Sequence, residues 1–224
     1  WTGDNEMSEN RKNNIENMKK LTEMEVILIT KDNLNDWLIE PLHDGYQYLS
    51  SVHKADYLRT YFMHFYGCCY CDIKNPRSSY LKSFDEINSN ENIYINGYKE
   101  ISMGYSCVPK IHYDSKIHDY ENIDEIIHTK PGFYSLVGNG AYIVRAQTPF
   151  TTEWYNNLLY IMNEKYDRLV ENPAKEHRDK WGKNGSKYPF RWTELLGEIF
   201  HPLLYKYRDH VLKTLPRISC SNYK

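Results

Sequence analysis

Three charged side chains within residues 51–74 have the types and spacing of a ligand-binding site. Asp56 and Arg59 are three residues apart in a segment with helical periodicity, so both lie along one side of that helix. Asp72 ends a short apolar run that begins after Gly67, and glycine is common where a helix ends. In α/β proteins, ligands bind beyond the carboxyl ends of such strands. The segment therefore predicts anionic and cationic groups that face a common ligand.

The surrounding sequence predicts the elements that hold these side chains. Ser51 is placed to cap the helix, and the helix has one apolar stripe, formed by Ala55, Leu58, Phe62 and Phe65. Strands are predicted over residues 25–30, 92–98 and 141–144, and further helices after Pro149 and over residues 191–205. Strands that alternate with helices in this way predict an α/β fold with a doubly wound sheet.

Composition excludes several classes of protein. The 224 residues carry 28 basic and 30 acidic side chains, which gives no general footprint for nucleic acid. No apolar run reaches the roughly 20 residues that a membrane helix needs. Three of the five cysteines crowd together, which does not suggest a disulfide framework and favours a reducing, cytoplasmic compartment. The length predicts one domain over residues 1–224.

Several short motifs follow one another in a recognisable order. The first set is Lys54-Ala55-Asp56 with Arg59, then Tyr66-Gly67, then Tyr70-x-Asp72. The later set is Gly138-Asn139-Gly140 through Pro149-Phe150, then Trp192-Thr193-Glu194 with Gly197, and Trp1-Thr2-Gly3 opens the chain. Together they resemble nucleotide-sugar glycosyltransferases of the DxD type, a group that includes capsular-polysaccharide and mannosyl-transferase relatives.

The resemblance implies a fold and an activity. The fold would be GT-A-like, with a central mixed, mostly parallel sheet flanked by helices. Residues 1–98 would form the nucleotide-sugar-binding half and residues 99–224 the acceptor-binding half. Independently of the resemblance, the irregular composition of residues 99–131, rich in Tyr, His and Asp, predicts a long substrate loop over the sheet. The enzyme would transfer a hexosyl or pentosyl group from a nucleoside diphosphate, with uridine diphosphate (UDP) favoured, to a glycan. It also implies that further residues precede Trp1.

The same resemblance assigns a role to each motif residue. Donor binding would fall to Trp1, Thr2, Lys54, Asp56, Arg59, Asp72 and Lys74. Acceptor binding would fall to Asn139, Gly140, Trp192 and Glu194. Asp72 is the main catalytic candidate. Glu194 is the candidate general base if the reaction inverts the anomeric centre, and an acceptor ligand if the reaction retains it.

One departure from the family pattern affects the expected cofactor. Lys74 stands where the second aspartate of Asp-x-Asp would hold a divalent cation, Mn²⁺ or Mg²⁺, against the donor diphosphate. The lysine is able to neutralise the diphosphate itself. Alternatively, Asp72 alone holds a metal with phosphate oxygens and waters. The sequence leaves both interpretations open.

Two other classes of protein remain open. The run Cys68-Cys69-Tyr70-Cys71 contains a Cys-x-x-Cys, which suits a redox pair or half a zinc site, although a second pair at metal spacing is missing. A degenerate transferase that binds a nucleotide sugar or glycan without turnover is the other class, and Lys74 favours it. The chain lacks both the Gly-x-Ser-x-Gly motif of hydrolases and a phosphate-binding Gly-x-x-x-x-Gly-Lys loop.

Overall fold

The computed structural model describes residues 1–100, 136–219 and 221, and in these residues six α-helices flank one four-stranded sheet. The helices are α1 (Glu9–Thr22), α2 (Ser51–Phe65), α3 (Leu81–Asn88), α4 (Pro149–Glu164), α5 (Tyr166–Glu171) and α6 (Gly197–Lys206). The strands are β1 (Cys68–Cys71), β2 (Ile95–Lys99), β3 (Val137–Val144) and β4 (Val211–Leu212). The mixed α/β class is confirmed. Most of the predicted substrate loop lies outside the described residues.

The sheet is not mostly parallel, so that part of the expected GT-A-like fold is wrong. The strand order is β1-β3-β2-β4. Strand β3 pairs antiparallel with both of its neighbours, β1 and β2, and only the short pairing of β2 with β4 is parallel. The central strand therefore runs against the two strands beside it.

Residues 25–30 account for much of this difference, because they do not form a strand. Ile27 is 50% exposed rather than buried. The Asn33 side chain accepts a hydrogen bond from the Thr30 nitrogen at 2.7 Å and donates one to the Leu28 carbonyl at 3.0 Å. These bonds satisfy backbone groups that a neighbouring strand would otherwise bond. The expected parallel unit of this segment, α2 and β1 therefore does not form.

Helix α2 begins and ends close to the predicted positions. Its cap is Ser50 rather than Ser51, and the Ser50 hydroxyl accepts from the His53 nitrogen at 3.4 Å. Gly67 follows the helix with φ of +66°. A Cβ at Gly67 would lie 2.6 Å from the backbone nitrogen of Ala146, so the turn into β1 requires glycine.

The buried face of α2 is centred on two tyrosines and includes Leu58, Phe62 and Phe65 of the predicted stripe but not Ala55. Tyr57 and Tyr61 are fully buried, whereas Ala55 is exposed. The Tyr57 hydroxyl accepts from the His43 nitrogen at 3.0 Å, and the Tyr61 hydroxyl donates to the Glu40 carbonyl at 2.8 Å. Because each hydroxyl has a backbone partner, the rings are buried without losing a hydrogen bond.

Strand β3 separates two hydrophobic cores. Alternate side chains of a strand point to opposite faces, so Tyr142 and Val144 enter the larger core with α2, α4 and α6, while Ala141 and Ile143 enter the smaller one. The smaller core also contains Tyr80, Ile87, Ile93, Leu215 and Ile218. Among the described helices, none combines the length and apolar content needed to cross a membrane.

Candidate functional site

Arg59 lies at the centre of a buried charged group, and its side chain is only 9% exposed. Its Nη2 atom is 3.3 Å from Oδ1 of Asp56 and 3.8 Å from Oδ1 of Asp72. Its Nη1 atom donates to the backbone carbonyl of Asn139 at 2.8 Å. One guanidinium therefore connects α2, the end of β1 and the central strand β3.

Asp72 is fixed from three sides directly after β1. Its backbone nitrogen donates to the Gly140 carbonyl at 2.7 Å. Its Oδ1 accepts from the Tyr70 hydroxyl at 2.7 Å, and its Oδ2 accepts from Nζ of Lys74 at 2.7 Å. The Tyr70 ring also lies 4.2 Å below Cζ of Arg59, at a distance suited to a cation–π contact. We call Asp56, Arg59, Asp72 and Lys74 the Arg59 cluster.

Burial and neighbouring charges give the two carboxyl groups of the cluster different pKa values. Burial alone would raise the pKa of Asp72, but Arg59 and Lys74, with the hydrogen bond from Tyr70, hold it below its ordinary value. Burial raises the pKa of Asp56 to about 6, because Arg59 offsets burial only in part and Asp72 adds repulsion. Asp72 is therefore the permanent anion, whereas Asp56 titrates near neutral pH.

The predicted acceptor residues on β3 lie beside Asp72. The Gly140 nitrogen donates to the Tyr98 hydroxyl at 3.2 Å, and a Cβ at Gly140 would lie 2.4 Å from Cδ1 of Ile218. The Asn139 Oδ1 atom is buried without a hydrogen-bond partner among the described residues. A buried acceptor in this condition is a natural position for a donor group of a ligand. Sequence reasoning missed Tyr98, because its place in a strand does not reveal where its hydroxyl points.

The predicted donor residues Thr2 and Lys54 both lie beside Tyr46, whereas Trp1 contacts Asn5 and Ile29. The side chain of Thr2 lies beside the Tyr46 hydroxyl, and Nζ of Lys54 lies 5.6 Å from the centre of the Tyr46 ring. The Trp1 indole donates to the Asn5 carbonyl at 2.8 Å. Residues two apart on a helix do not face each other, so Lys54 points away from Asp56 rather than supporting it.

Glu194 is held by cations on both of its oxygens. Oε1 pairs with the ammonium of Lys165, and Oε2 lies 3.5 Å from Nη1 of Arg191 and accepts from the Arg191 backbone nitrogen at 2.9 Å. The Glu194 side chain is 6% exposed. Residues 192–196 form turns beside these bonds, and α6 begins at Gly197 instead of residue 191. The geometry favours a positioning role for this carboxylate over the role of general base.

Trp192 presents its ring to two cations of the preceding segment. Cζ of Arg178 lies 5.1 Å from the centre of a Trp192 ring, and Nζ of Lys180 lies 5.8 Å away. Both distances are in the range of a cation–π contact. The predicted acceptor residues Trp192 and Glu194 thus lie in one charged segment.

His53 links that segment to α2. Its Nε2 atom lies 3.0 Å from the Arg191 carbonyl, which only accepts, so Nε2 carries the hydrogen. Its Nδ1 atom then accepts from the Tyr188 hydroxyl at 2.9 Å. Burial lowers the pKa of His53 to about 4, so the ring is neutral at pH 7. His53 precedes Asp56 by one helical turn and was missed from sequence, since a single histidine has no informative spacing.

The cysteines of β1 do not support a redox or zinc site. Cys68 and Cys71 lie three residues apart in a strand, so they face opposite sides at about 10 Å, beyond the roughly 7 Å limit for a disulfide. Cys71 packs into the smaller core, where burial, with Asp72 nearby, raises its thiol pKa to about 12. In the described part of the chain, no group of three or more His, Cys, Asp or Glu residues is arranged to hold a metal.

Asp72 in this arrangement does not fit the divalent cation that the resemblance implies. A divalent cation needs carboxylate oxygens that face it. Here Oδ2 faces the Lys74 ammonium and Oδ1 faces the Tyr70 hydroxyl, with Arg59 beyond it. The Asp56 carboxylate is itself paired with Arg59. Both available carboxylates are therefore directed at cations that the protein already supplies.

Neither a family model, nor a curated protein, nor a solved structure matches this chain. The resemblance to glycosyltransferases therefore gains no support from these comparisons. The geometry of the Arg59 cluster and of the β3 residues beside it is the remaining evidence for function.

Proposed function

We propose that the chain is a glycosyltransferase that moves a sugar from a nucleoside diphosphate, with UDP favoured, to a glycan acceptor. One observation carries this proposal: the Arg59 cluster. Four residues expected to bind the donor are joined by successive ion-pair contacts of 2.7 to 3.8 Å. Two of them, Asp56 and Arg59, come from α2, and the other two, Asp72 and Lys74, come from the turn after β1. The two residues of β3 expected to meet the acceptor side, Asn139 and Gly140, contact the same cluster.

The charges of the cluster suit the departure of a diphosphate. When the bond between the sugar C1 and the diphosphate oxygen breaks, negative charge grows on the diphosphate, and fixed cations in a water-poor site stabilise it. Arg59 and Lys74 are such cations, and Asp72 fixes the position of Lys74. The sugar then forms a bond with the acceptor oxygen, whose proton passes to an oxygen of the departing diphosphate.

Asp72 is the catalytic candidate that the geometry favours. It remains ionised because its pKa is held low, and it lies beside the carbonyl of Gly140. In this proposal the Asp72 carboxylate contacts the transferred sugar, Asp56 contacts the base or ribose, and Asn139 contacts the acceptor or the sugar. Glu194 acts through Arg191, which it holds in place.

A binding protein without turnover is the second candidate, and one specific observation favours it. The Lys74 ammonium lies 2.7 Å from Oδ2 of Asp72, so the main catalytic carboxylate is engaged in an ion pair. A site of this kind would still attract a nucleoside diphosphate. It would differ from a transferase only in leaving the bond between sugar and diphosphate intact.

Titration calorimetry with a panel of nucleotide sugars tests the proposal. We expect at least one UDP-sugar to bind, and Asp72→Asn to weaken that binding at least tenfold because the neutral amide keeps the shape but no longer holds Lys74 and Arg59 in place. The matched control is Asp85→Asn, at an exposed carboxylate of α3, which should bind as the wild type does. Circular dichroism establishes that each variant is folded. Binding of no panel member to the wild type would overturn the proposal.

A further inference from the structure

The charges of the Arg59 cluster balance without a metal. Asp56 and Asp72 are two anions when both are ionised, and Arg59 and Lys74 are two cations. An aspartate at position 74 would leave three anions and one cation, and a divalent cation would be needed to restore the balance. A lysine carries the same net charge as an aspartate with a divalent cation bound to it. Lys74 therefore supplies the same charge as the second aspartate of Asp-x-Asp together with its divalent cation.

The backbone fixes Lys74 at the place where this charge is needed. The Lys74 nitrogen donates to the Asp72 carbonyl at 2.6 Å, which closes a tight turn directly after β1. The next residue, Asn75, is bonded to a distant segment, since the Ser219 backbone nitrogen donates to the Asn75 carbonyl at 2.7 Å. The Lys74 side chain is 17% exposed, so its ammonium lies at the edge of the site.

The ammonium is able to serve a carboxylate and an anionic ligand together. It has three N–H donors, and hydrogen bonds from an ammonium to phosphate oxygens are charge-assisted. Asp72 orients Lys74 through one such bond. A divalent cation at Oδ2 would have to displace the ammonium, and both Lys74 and Arg59 would repel it.

On the basis of the proposed function, we infer that Lys74 takes the place of the divalent cation, so that the chain binds the donor diphosphate without metal. Asp72 acts as the orienting anion for Lys74, and Arg59 supplies the second positive charge. This assigns a metal-independent diphosphate subsite to Lys74 and Arg59. Binding of the diphosphate at this subsite is measurable without any turnover.

The test measures UDP affinity by titration calorimetry in EDTA and in Mn²⁺, with electron paramagnetic resonance of Mn²⁺ as a direct measure of metal binding. The wild type should bind UDP with affinities that agree within twofold in the two conditions, and should not bind Mn²⁺ at this site. Lys74→Met should bind UDP at least tenfold more weakly in both conditions. Lys74→Asp recreates Asp-x-Asp and should bind UDP only in Mn²⁺, with Mn²⁺ bound to the protein. Lys82→Asp is the control for added negative charge, because Lys82 is 89% exposed.

The outcomes separate this inference from the proposed function. If the wild type binds UDP at least tenfold more tightly in Mn²⁺ than in EDTA, the inference is overturned and the donor site stands. If the wild type binds neither UDP nor any nucleotide sugar of the panel in either condition, the proposed function fails and the inference fails with it. If Lys74→Met or Lys74→Asp does not fold, the UDP affinity of the wild type in EDTA and in Mn²⁺ still tests whether diphosphate binding requires metal.

Discussion

Arg59 donates a hydrogen bond of 2.8 Å from Nη1 to the carbonyl of Asn139, a residue eighty positions later in the chain. The bond ties α2 to the central strand of the sheet. Because Nη2 of the same guanidinium faces Asp56 and Asp72, the predicted donor and acceptor residues meet only when α2 packs on β3. The geometry of the site therefore depends on this one side chain.

Replacing Arg59 by lysine tests how far the site depends on the forked guanidinium. Arg59→Lys keeps the charge but cannot reach Asn139, Asp56 and Asp72 together. We expect the free energy of unfolding to fall by about 1 to 3 kcal/mol, since at least one buried partner loses its hydrogen bond. Urea denaturation measures this. Arg208→Lys, at an exposed arginine, should change stability by about 0.5 kcal/mol or less. Equal stability of the two variants would contradict the role of Arg59.

Replacing Glu194 by glutamine distinguishes a positioning carboxylate from a general base. Glu194→Gln leaves Lys165 and the Arg191 side chain without their common anion. The expected loss of stability is about 2 kcal/mol, less than for a fully buried pair because both cations reach solvent. Thermal and urea unfolding measure it, with exposed Glu171→Gln as control. A variant of unchanged stability that has lost turnover would identify Glu194 as the base instead.

His53 should make the protein sensitive to mild acid. Its folded pKa of about 4 lies below the ordinary value of 6.5. The contribution of the neutral ring is therefore complete above pH 6.5 and is lost as the pH falls toward 4. Between pH 7 and pH 4.5 the loss amounts to about 2.5 kcal/mol.

Urea unfolding at these two pH values measures the acid sensitivity. The wild type should lose about 2.5 kcal/mol more than His53→Gln, because other groups titrate equally in both proteins. The exposed His177 provides the control, and His177→Gln should behave as the wild type does. If His53→Gln shows the same loss as the wild type, His53 is not held neutral by burial.

Substitution of Gly140 tests whether Ile218 packs against the site. A Cβ at this position would lie 2.4 Å from Cδ1 of Ile218 and 3.0 Å from the Tyr98 hydroxyl. Gly140→Ala should therefore destabilise the protein by about 1 to 2 kcal/mol through overpacking. Ile218→Val removes the Cδ1 atom, so in that background the cost of Gly140→Ala should fall by at least half. A double-mutant cycle measures the coupling, and simple additivity would contradict the contact.

The local part of the site could be predicted from sequence. Asp56 and Arg59 are neighbours along one helix, and Asp72 follows a strand that begins soon after it, so periodicity and a glycine were sufficient to place them. The long-range part could not. The pairing of Arg59 with the Asn139 carbonyl depends on how α2 packs on β3, and no residue pattern encodes a backbone acceptor eighty positions away.

The arrangement of the sheet was not predictable for a related reason. An apolar run such as residues 25–30 predicts burial, but whether a strand forms depends on a partner elsewhere. Here the Asn33 side chain bonds the Thr30 nitrogen and the Leu28 carbonyl instead. Similarly, Tyr57 and Tyr61 are buried because backbone groups bond their hydroxyls, a condition that hydropathy does not record.

Release of UDP from a bound UDP-sugar, measured with and without a panel of glycan acceptors, tests the central claim most directly. The proposed transferase should release UDP faster when the correct acceptor is present, and Asp72→Asn should slow that release at least a hundredfold while Asp85→Asn leaves it unchanged. A wild-type protein that binds the donor but releases no UDP above the rate without acceptor would contradict the claim and identify a binding protein. Undiminished turnover in Asp72→Asn would contradict the role assigned to the Arg59 cluster.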